Sequence, residues 1–206
     1  AVVRPSARPL VLVHGLWDTP YVFCRLRQHL ELHPGEILAP HLPHRLGCTP
    51  LFTLAQDLDQ AIGVRFGPDQ PIDLLGFSMG AIIARTWIQL LGGHRRTRCF
   101  ISLGSPQHGT LLAQPWPRVL LPGVADMKIG SALLRRLNAD VSTLGRIDCM
   151  SFYCPVDLMV IPAWTGVLPI GPKRTLPVWN HRQLIQSTRS LELVTAHLLE
   201  CAQRGA

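Results

Sequence analysis

The sequence has no apolar run long enough to cross a bilayer. Its longest are interrupted by Gly, Pro or Arg well short of the roughly 20 residues a spanning helix needs. A secretory leader is not in view either, because residues 1–9 carry Arg4 and Arg8 and lead into a short apolar strand rather than a long hydrophobic region. Cysteines at paired metal-ligand spacing are missing. Cys24, Cys48, Cys99, Cys149, Cys154 and Cys201 are scattered, mostly within apolar strand or helix patterns. They read as buried free thiols and favour a reducing compartment, with one disulfide as the alternative. Lysine is scarce, so the net charge of +7 rests mainly on arginine, and it is spread along the chain instead of concentrated as a nucleic-acid surface would have it. The tightest cluster, His94-Arg95-Arg96-Thr97-Arg98, reads as a solvated loop between a helix and a strand, or alternatively as a contact for anionic lipid headgroups. The expected location is cytoplasmic, with peripheral contact to a membrane or lipid surface left open. Neither nucleic acid nor a cofactor is expected as a partner.

What is present is an apolar fraction of 47% in 206 residues, which suits a single domain over 1–206 with a sizeable core. Strand and helix patterns alternate. Leu10-Val11-Leu12-Val13 is a short apolar strand, followed by a helix from Thr19 through Leu32 and a second strand at Glu36–Ala39. A loop rich in Pro and His runs to Pro50. Leu51, Leu54, Ala55, Leu58 and Ile62 then recur at helical spacing, strand three spans 72–76, a helix runs to about Leu91, and Cys99–Leu103 is strand four. The pattern breaks at 111–145, where Pro115, Pro117 and Pro122 interrupt apolar residues before a helix at Ser131–Asn138, and this segment reads as a small cap over the sheet edge. Strands return at Cys149–Cys154 and near Arg174–Leu176, and a last amphipathic helix spans about His181–Ala202. Such alternation predicts an α/β fold with about six mostly parallel strands, helices on both faces, and ligand-binding loops at the strand C-termini.

The chain is organised around the turn that ends strand three, Gly76-Phe77-Ser78-Met79-Gly80. A strand that ends in Gly-x-Ser-x-Gly and opens directly into a helix forces its serine into a strained backbone with the hydroxyl held clear of the sheet. Side chains at Gly76 or Gly80 would collide with the crossing elements. A tight turn with a serine helix cap is the alternative. A serine nucleophile needs a histidine to take its proton and a carboxylate to hold that histidine, here in the chain order Ser, Asp, His. Asp157 lies just past a strand, and His181 lies past the next one at the mouth of the last helix, on the edge where Ser78 stands. His108 and His197 compete as base. Asp148 opens a strand at the opposite edge, and Asp140 belongs to the insertion. Taken singly, Asp157 is also an ordinary turn residue and Asn180-His181 an ordinary helix cap. Backbone N–H groups of Met79 and Leu16, the latter after His14-Gly15, are the expected donors to an oxyanion.

Four separated segments then resemble the α/β-hydrolase fold, and within it the bacterial-type lipases and esterases: Val13-His14-Gly15-Leu16, Gly76-Phe77-Ser78-Met79-Gly80, Gly104-Ser105-Pro106-Gln107-His108-Gly109-Thr110, and Asp157 with His181. The resemblance implies ester hydrolysis, with Ser78 attacking the acyl carbon, His181 moving the proton, Asp157 orienting it, and Leu16 and Met79 holding the oxyanion. It implies no metal and no organic cofactor. The chain is short for the fold and its cap is small for a lipase lid, which argues for an open site. Trp17, Leu111, Leu112, Trp116, Leu120, Leu121 and Trp164 are candidates to line an acyl pocket or meet lipid, and helix-to-sheet packing also accounts for residues of this kind. An ester or lipid substrate and a monomer or small homo-oligomer are expected. Acyl transfer to another alcohol, thioester cleavage, and a non-catalytic binding module remain the alternatives.

Overall fold

A computed structural model describes residues 7–204. Six strands, β1 (Leu10–Val13), β2 (Ile37–Leu38), β3 (Ile72–Phe77), β4 (Thr97–Leu103), β5 (Asp148–Tyr153) and β6 (Lys173–Thr175), form one sheet in the order β2-β1-β3-β4-β5-β6. Every pairing is parallel. All residues of β1 and β3 are buried, which is why both read as nearly continuous apolar runs instead of alternating ones.

The two faces of the sheet carry separate cores. Val11, Val13, Leu74 and Phe100 pack under α2 (Leu51–Phe66) and α3 (Met79–Leu90) on one side. Leu10, Leu12, Leu75, Ile101 and Leu103 point to the other side, where α1 (Cys24–His29) and the C-terminal helices cover them. The two-residue periodicity of a strand sorts neighbouring side chains onto opposite faces. Strand order reverses between β1 and β3, since β2 pairs on one side of β1 and β3 on the other. The carboxyl ends of two adjacent strands therefore open a crevice from which their following loops diverge, the usual place for a ligand in an open α/β sheet.

Two helices differ from what spacing predicts. Residues 19–32 form a 3₁₀ turn at Pro20–Phe23, where the Thr19 hydroxyl accepts from Tyr21 N–H at 3.3 Å, and only then the short α1. The expected single C-terminal helix is two, α6 (Gln183–Gln186) and α7 (Thr188–Gln203), separated by an extended Ser187. The Ser190 hydroxyl donates to Leu184 O at 2.6 Å and stabilises the bend. The insertion holds α4 (Pro122–Ala125) and α5 (Ala132–Ala139). Asp126 fastens it down by accepting from Leu51 N–H at 3.0 Å, at the start of α2, and from Arg118 at 2.5 Å. Among the described residues no helix is long and apolar enough to cross a membrane.

Candidate active site

Ser78 stands between β3 and α3 with φ 54° and ψ −128°, a conformation a non-glycine residue holds only at a cost of about 1–3 kcal/mol. Its neighbours leave it no alternative. A Cβ on Gly76 would lie 2.2 Å from Ala81 Cα, and one on Gly80 would lie 2.1 Å from Val13 O. β3 and α3 can meet at this angle, and α3 can cross β1 this closely, only because both positions are bare. Ser78 N–H donates to Leu103 O at 2.9 Å, which ties the turn to the end of β4.

The loop after β1 comes as close from the other side, since a Cβ on Gly15 would meet Ser78 Cβ at 2.9 Å. His14 holds this loop. Its Nε2 accepts from Leu42 N–H at 3.0 Å, which leaves the proton on Nδ1 to be donated to Gly15 O at 3.1 Å. Burial holds His14 below the ordinary histidine value against the opposing hydrogen bond to Gly15, so the ring stays neutral and both nitrogens are used. The chain turns back at Trp17, whose φ is 61°. Leu16 and Met79 then flank Ser78 in the wall of one cavity.

Asp157 and His181 come together from the loops after β5 and β6. His181 Nδ1 lies 2.7 Å from Asp157 Oδ2, while Asp157 Oδ1 accepts from the N–H groups of Met159 at 2.8 Å and Val160 at 3.3 Å. A carboxylate so held accepts the Nδ1 proton, which leaves Nε2 as the unprotonated nitrogen. The ring stacks on Phe77, with centroids 5.0 Å apart, and passes Gly104, where an added Cβ would stand 3.5 Å from its Cε1. Asn180 caps the following turn by accepting from Gln183 N–H at 3.0 Å, so capping falls to the asparagine and His181 is left to meet Asp157.

The competing residues lie elsewhere. His197 packs edge-on against Phe152 and sits beside Glu200 on α7. Asp148 binds Arg204 at 2.8 Å, and Asp140 accepts from the Ser142 hydroxyl at 2.6 Å. His108 is held below the ordinary histidine value by burial and by the nearby Arg85. Arg85 itself is fully buried, which pulls it down to about 10. It donates to Gln107 at 3.3 Å and to Asn138 at 2.8 Å, and so joins the loop after β4 to the insertion.

Ser78 and His181 open onto a cavity of about 540 Å³. Trp17, Leu112, Trp116 and Leu121 line it. Leu111, Leu120 and Trp164 are not among its walls and are 50%, 64% and 74% exposed. In a 3₁₀ turn adjacent residues point about 120° apart, so Leu112 faces inward while Leu111 faces out. The turn at 117–121 likewise points Leu121 in and Leu120 out, and Trp164 rides on the outside of a 3₁₀ turn at Ala163–Gly166. Val124, Met127 and Met159 complete the apolar wall and were not visible in the sequence, since proline-broken segments and loops have no period to read. The basic cluster 94–98 spans a 3₁₀ turn and the start of β4, at the sheet edge opposite Ser78.

A profile of the alpha/beta hydrolase family matches residues 10–198. The chain belongs to that family. Human lysosomal thioesterase PPT2 is 31% identical over 110 residues, which cover 52% of this chain and 36% of that protein. The chain thus spans only about a third of the length of the curated relatives it matches. Among solved structures, mature Bacillus licheniformis lipase BlEst2 superposes with a TM-score of 0.73 at 16% identity, over 95% of this chain and 93% of that one. Aspergillus fumigatus lipase B superposes with a TM-score of 0.75 at 14% identity, over 95% and 54%. At such identities the likeness is one of fold.

Proposed function

We propose that the protein is a serine hydrolase that cleaves acyl esters through an acyl-enzyme on Ser78. The observation that carries this reading is His181, held by Asp157 at 2.7 Å, opening with the strained Ser78 onto one apolar cavity. In the reaction His181 Nε2 takes the Ser78 proton as Oγ adds to the acyl carbon, and Asp157 holds the imidazolium that forms. The N–H groups of Leu16 and Met79 stabilise the oxyanion, each contributing about 3 kcal/mol to the barrier reduction. His181 then returns the proton to the leaving alkoxide, and water repeats the sequence on the acyl-enzyme. The acyl chain lies along Met79, Leu121, Val124 and Met127, whose apolar surface suits a hydrocarbon.

Trp17 and Trp116 are 64% and 50% exposed beside the cavity, and we take this rim as the part of the molecule that meets a lipid surface. A second reading, thioester cleavage by the same residues, is favoured by the match to a lysosomal thioesterase. Hydrolysis of p-nitrophenyl esters from acetate to palmitate, beside acyl thioesters of matched chain length and with Ser78→Ala as control, tests both. Esters turned over faster than matched thioesters support the first reading, and the reverse supports the second. Turnover that survives Ser78→Ala would refute both.

A further inference from the structure

A second cluster of reactive side chains lies at the sheet edge opposite Ser78, and it is independent of the hydrolase reading. Cys99, near the start of β4, and Cys201, in the last turn of α7, are 102 residues apart in sequence. Their side chains are 1% and 2% exposed, yet the Cys99 thiol donates to Cys201 Sγ across only 2.7 Å. His197, one turn before Cys201 on the same helix face, places a ring nitrogen within 4.8 Å of both sulfurs. Its Nε2 is buried without a hydrogen-bond partner.

This constellation has two chemistries open to it, a bound soft metal or a bond between the sulfurs. Two thiolates on one tetrahedral zinc would stand about 3.8 Å apart, given Zn–S bonds of about 2.3 Å. The observed contact is tighter than that, so the ion would have to push the strand and the helix apart. A covalent bond would draw them together by under about 1 Å. We propose that Cys99 and Cys201 form a disulfide that staples α7 to β4 when the protein meets a low-molecular-weight disulfide such as oxidised glutathione.

The chemistry proceeds by two exchanges. Cys201 thiolate attacks one sulfur of the small disulfide, which forms a mixed disulfide and expels one glutathione thiolate. Cys99 then gives its proton to His197 and attacks the Cys201 sulfur, which expels the second. Two protein thiols are oxidised, and one small disulfide is reduced to two thiols. The Cys99 donor and then His197 hold Cys201 below the ordinary thiol value, against the opposing effect of burial, which makes Cys201 the attacking sulfur. Access comes by fraying of the final turn of α7, because helix ends open far more readily than core strands. Cys149 and Cys154 are buried too, but their thiols donate to the carbonyls of Leu144 and Val178.

The test is to reduce the protein, incubate it with oxidised glutathione, alkylate the remaining thiols, and map peptides with and without subsequent reduction. Exposed Cys24 and Cys48 take up glutathione and report that the reagent has worked. The expected result is a peptide pair joined through Cys99 and Cys201, two hydrogens lighter than the reduced pair. A rise in Tm of about 5–10 °C accompanies it, is reversed by dithiothreitol, and is absent in Cys99→Ala and Cys201→Ala. Ester turnover, if present, stays unchanged in both variants. Alkylation of both thiols after Cys24 has reacted would overturn the proposal, as would a persistent glutathione adduct on Cys201. So would zinc chloride protecting both thiols of the reduced protein while raising its Tm, because the pair would then be a metal site.

Discussion

The substitution Asp157→Asn exchanges one oxygen for an NH₂ group and should reverse the proton on His181. Asp157 Oδ1 accepts from two backbone N–H groups, of Met159 and Val160, and an amide NH₂ turned toward them would set donor against donor. The new amide is therefore forced to keep its carbonyl oxygen on the backbone and its NH₂ on His181 Nδ1. That nitrogen must then accept, so the ring carries its proton on Nε2 and cannot act as base. Wrong-tautomer variants of this kind lose on the order of 10⁴ in kcat, equivalent to about 5.5 kcal/mol. The fold should survive, since the shape and both backbone hydrogen bonds are kept. The assay is kcat on p-nitrophenyl butyrate beside the urea midpoint of the same preparation. A folded variant that retains more than a tenth of wild-type kcat would refute the tautomer argument and with it the role assigned to Asp157.

Gly80→Ala should destabilise the chain by about 3 kcal/mol or more, because its Cβ must displace the Val13 carbonyl or push α3 off β1; urea unfolding measures this, and a loss under about 1 kcal/mol would contradict the close approach. Val124→Phe fills the cavity wall and should cut kcat/KM on p-nitrophenyl palmitate by about tenfold or more while leaving the acetate within about threefold, a contrast that equal losses on both esters would contradict. His14 is depressed below its unfolded value, so the stability it contributes is full above about pH 6.5 and is lost as pH falls below that toward the folded value. His14→Gln, which can still accept from Leu42 N–H, should therefore show a shallower fall of urea midpoint than wild type between pH 7.5 and 5. Parallel curves would show that His14 binds its proton equally well in the folded and unfolded states.

The turn at Gly76–Gly80 was legible in the sequence because its requirement is steric and local: two bare positions, two residues to either side of Ser78, at the end of an apolar run. The sheet was legible for a similar reason, since β1, β3 and β4 are buried on both faces and cannot be mistaken for surface segments. The Asp157–His181 pairing followed from topology, which delivers loops after successive parallel strands to one edge. Local chemistry overrode spacing at 19–32, where Pro20 fits a 3₁₀ entry, and at Ser187, where an extended residue divides α6 from α7. The segment 111–145 was the least legible. Its prolines replace a helical period by tight turns, so neighbours such as Leu120 and Leu121 diverge, and Val124 and Met127 reach the cavity without any signal in their spacing. Contact between Cys99 and Cys201 is a property of the assembled fold, and neither cysteine announces the other in the sequence.

If Ser78 is an activated nucleophile, the intact mass of the protein after exposure to an alkyl fluorophosphonate, followed by peptide mapping, will reveal it. One adduct is expected, on Ser78, absent in Ser78→Ala and formed far more slowly in His181→Gln. A folded protein that takes up no adduct, or takes it up at another residue while Ser78 stays free, would contradict the claim.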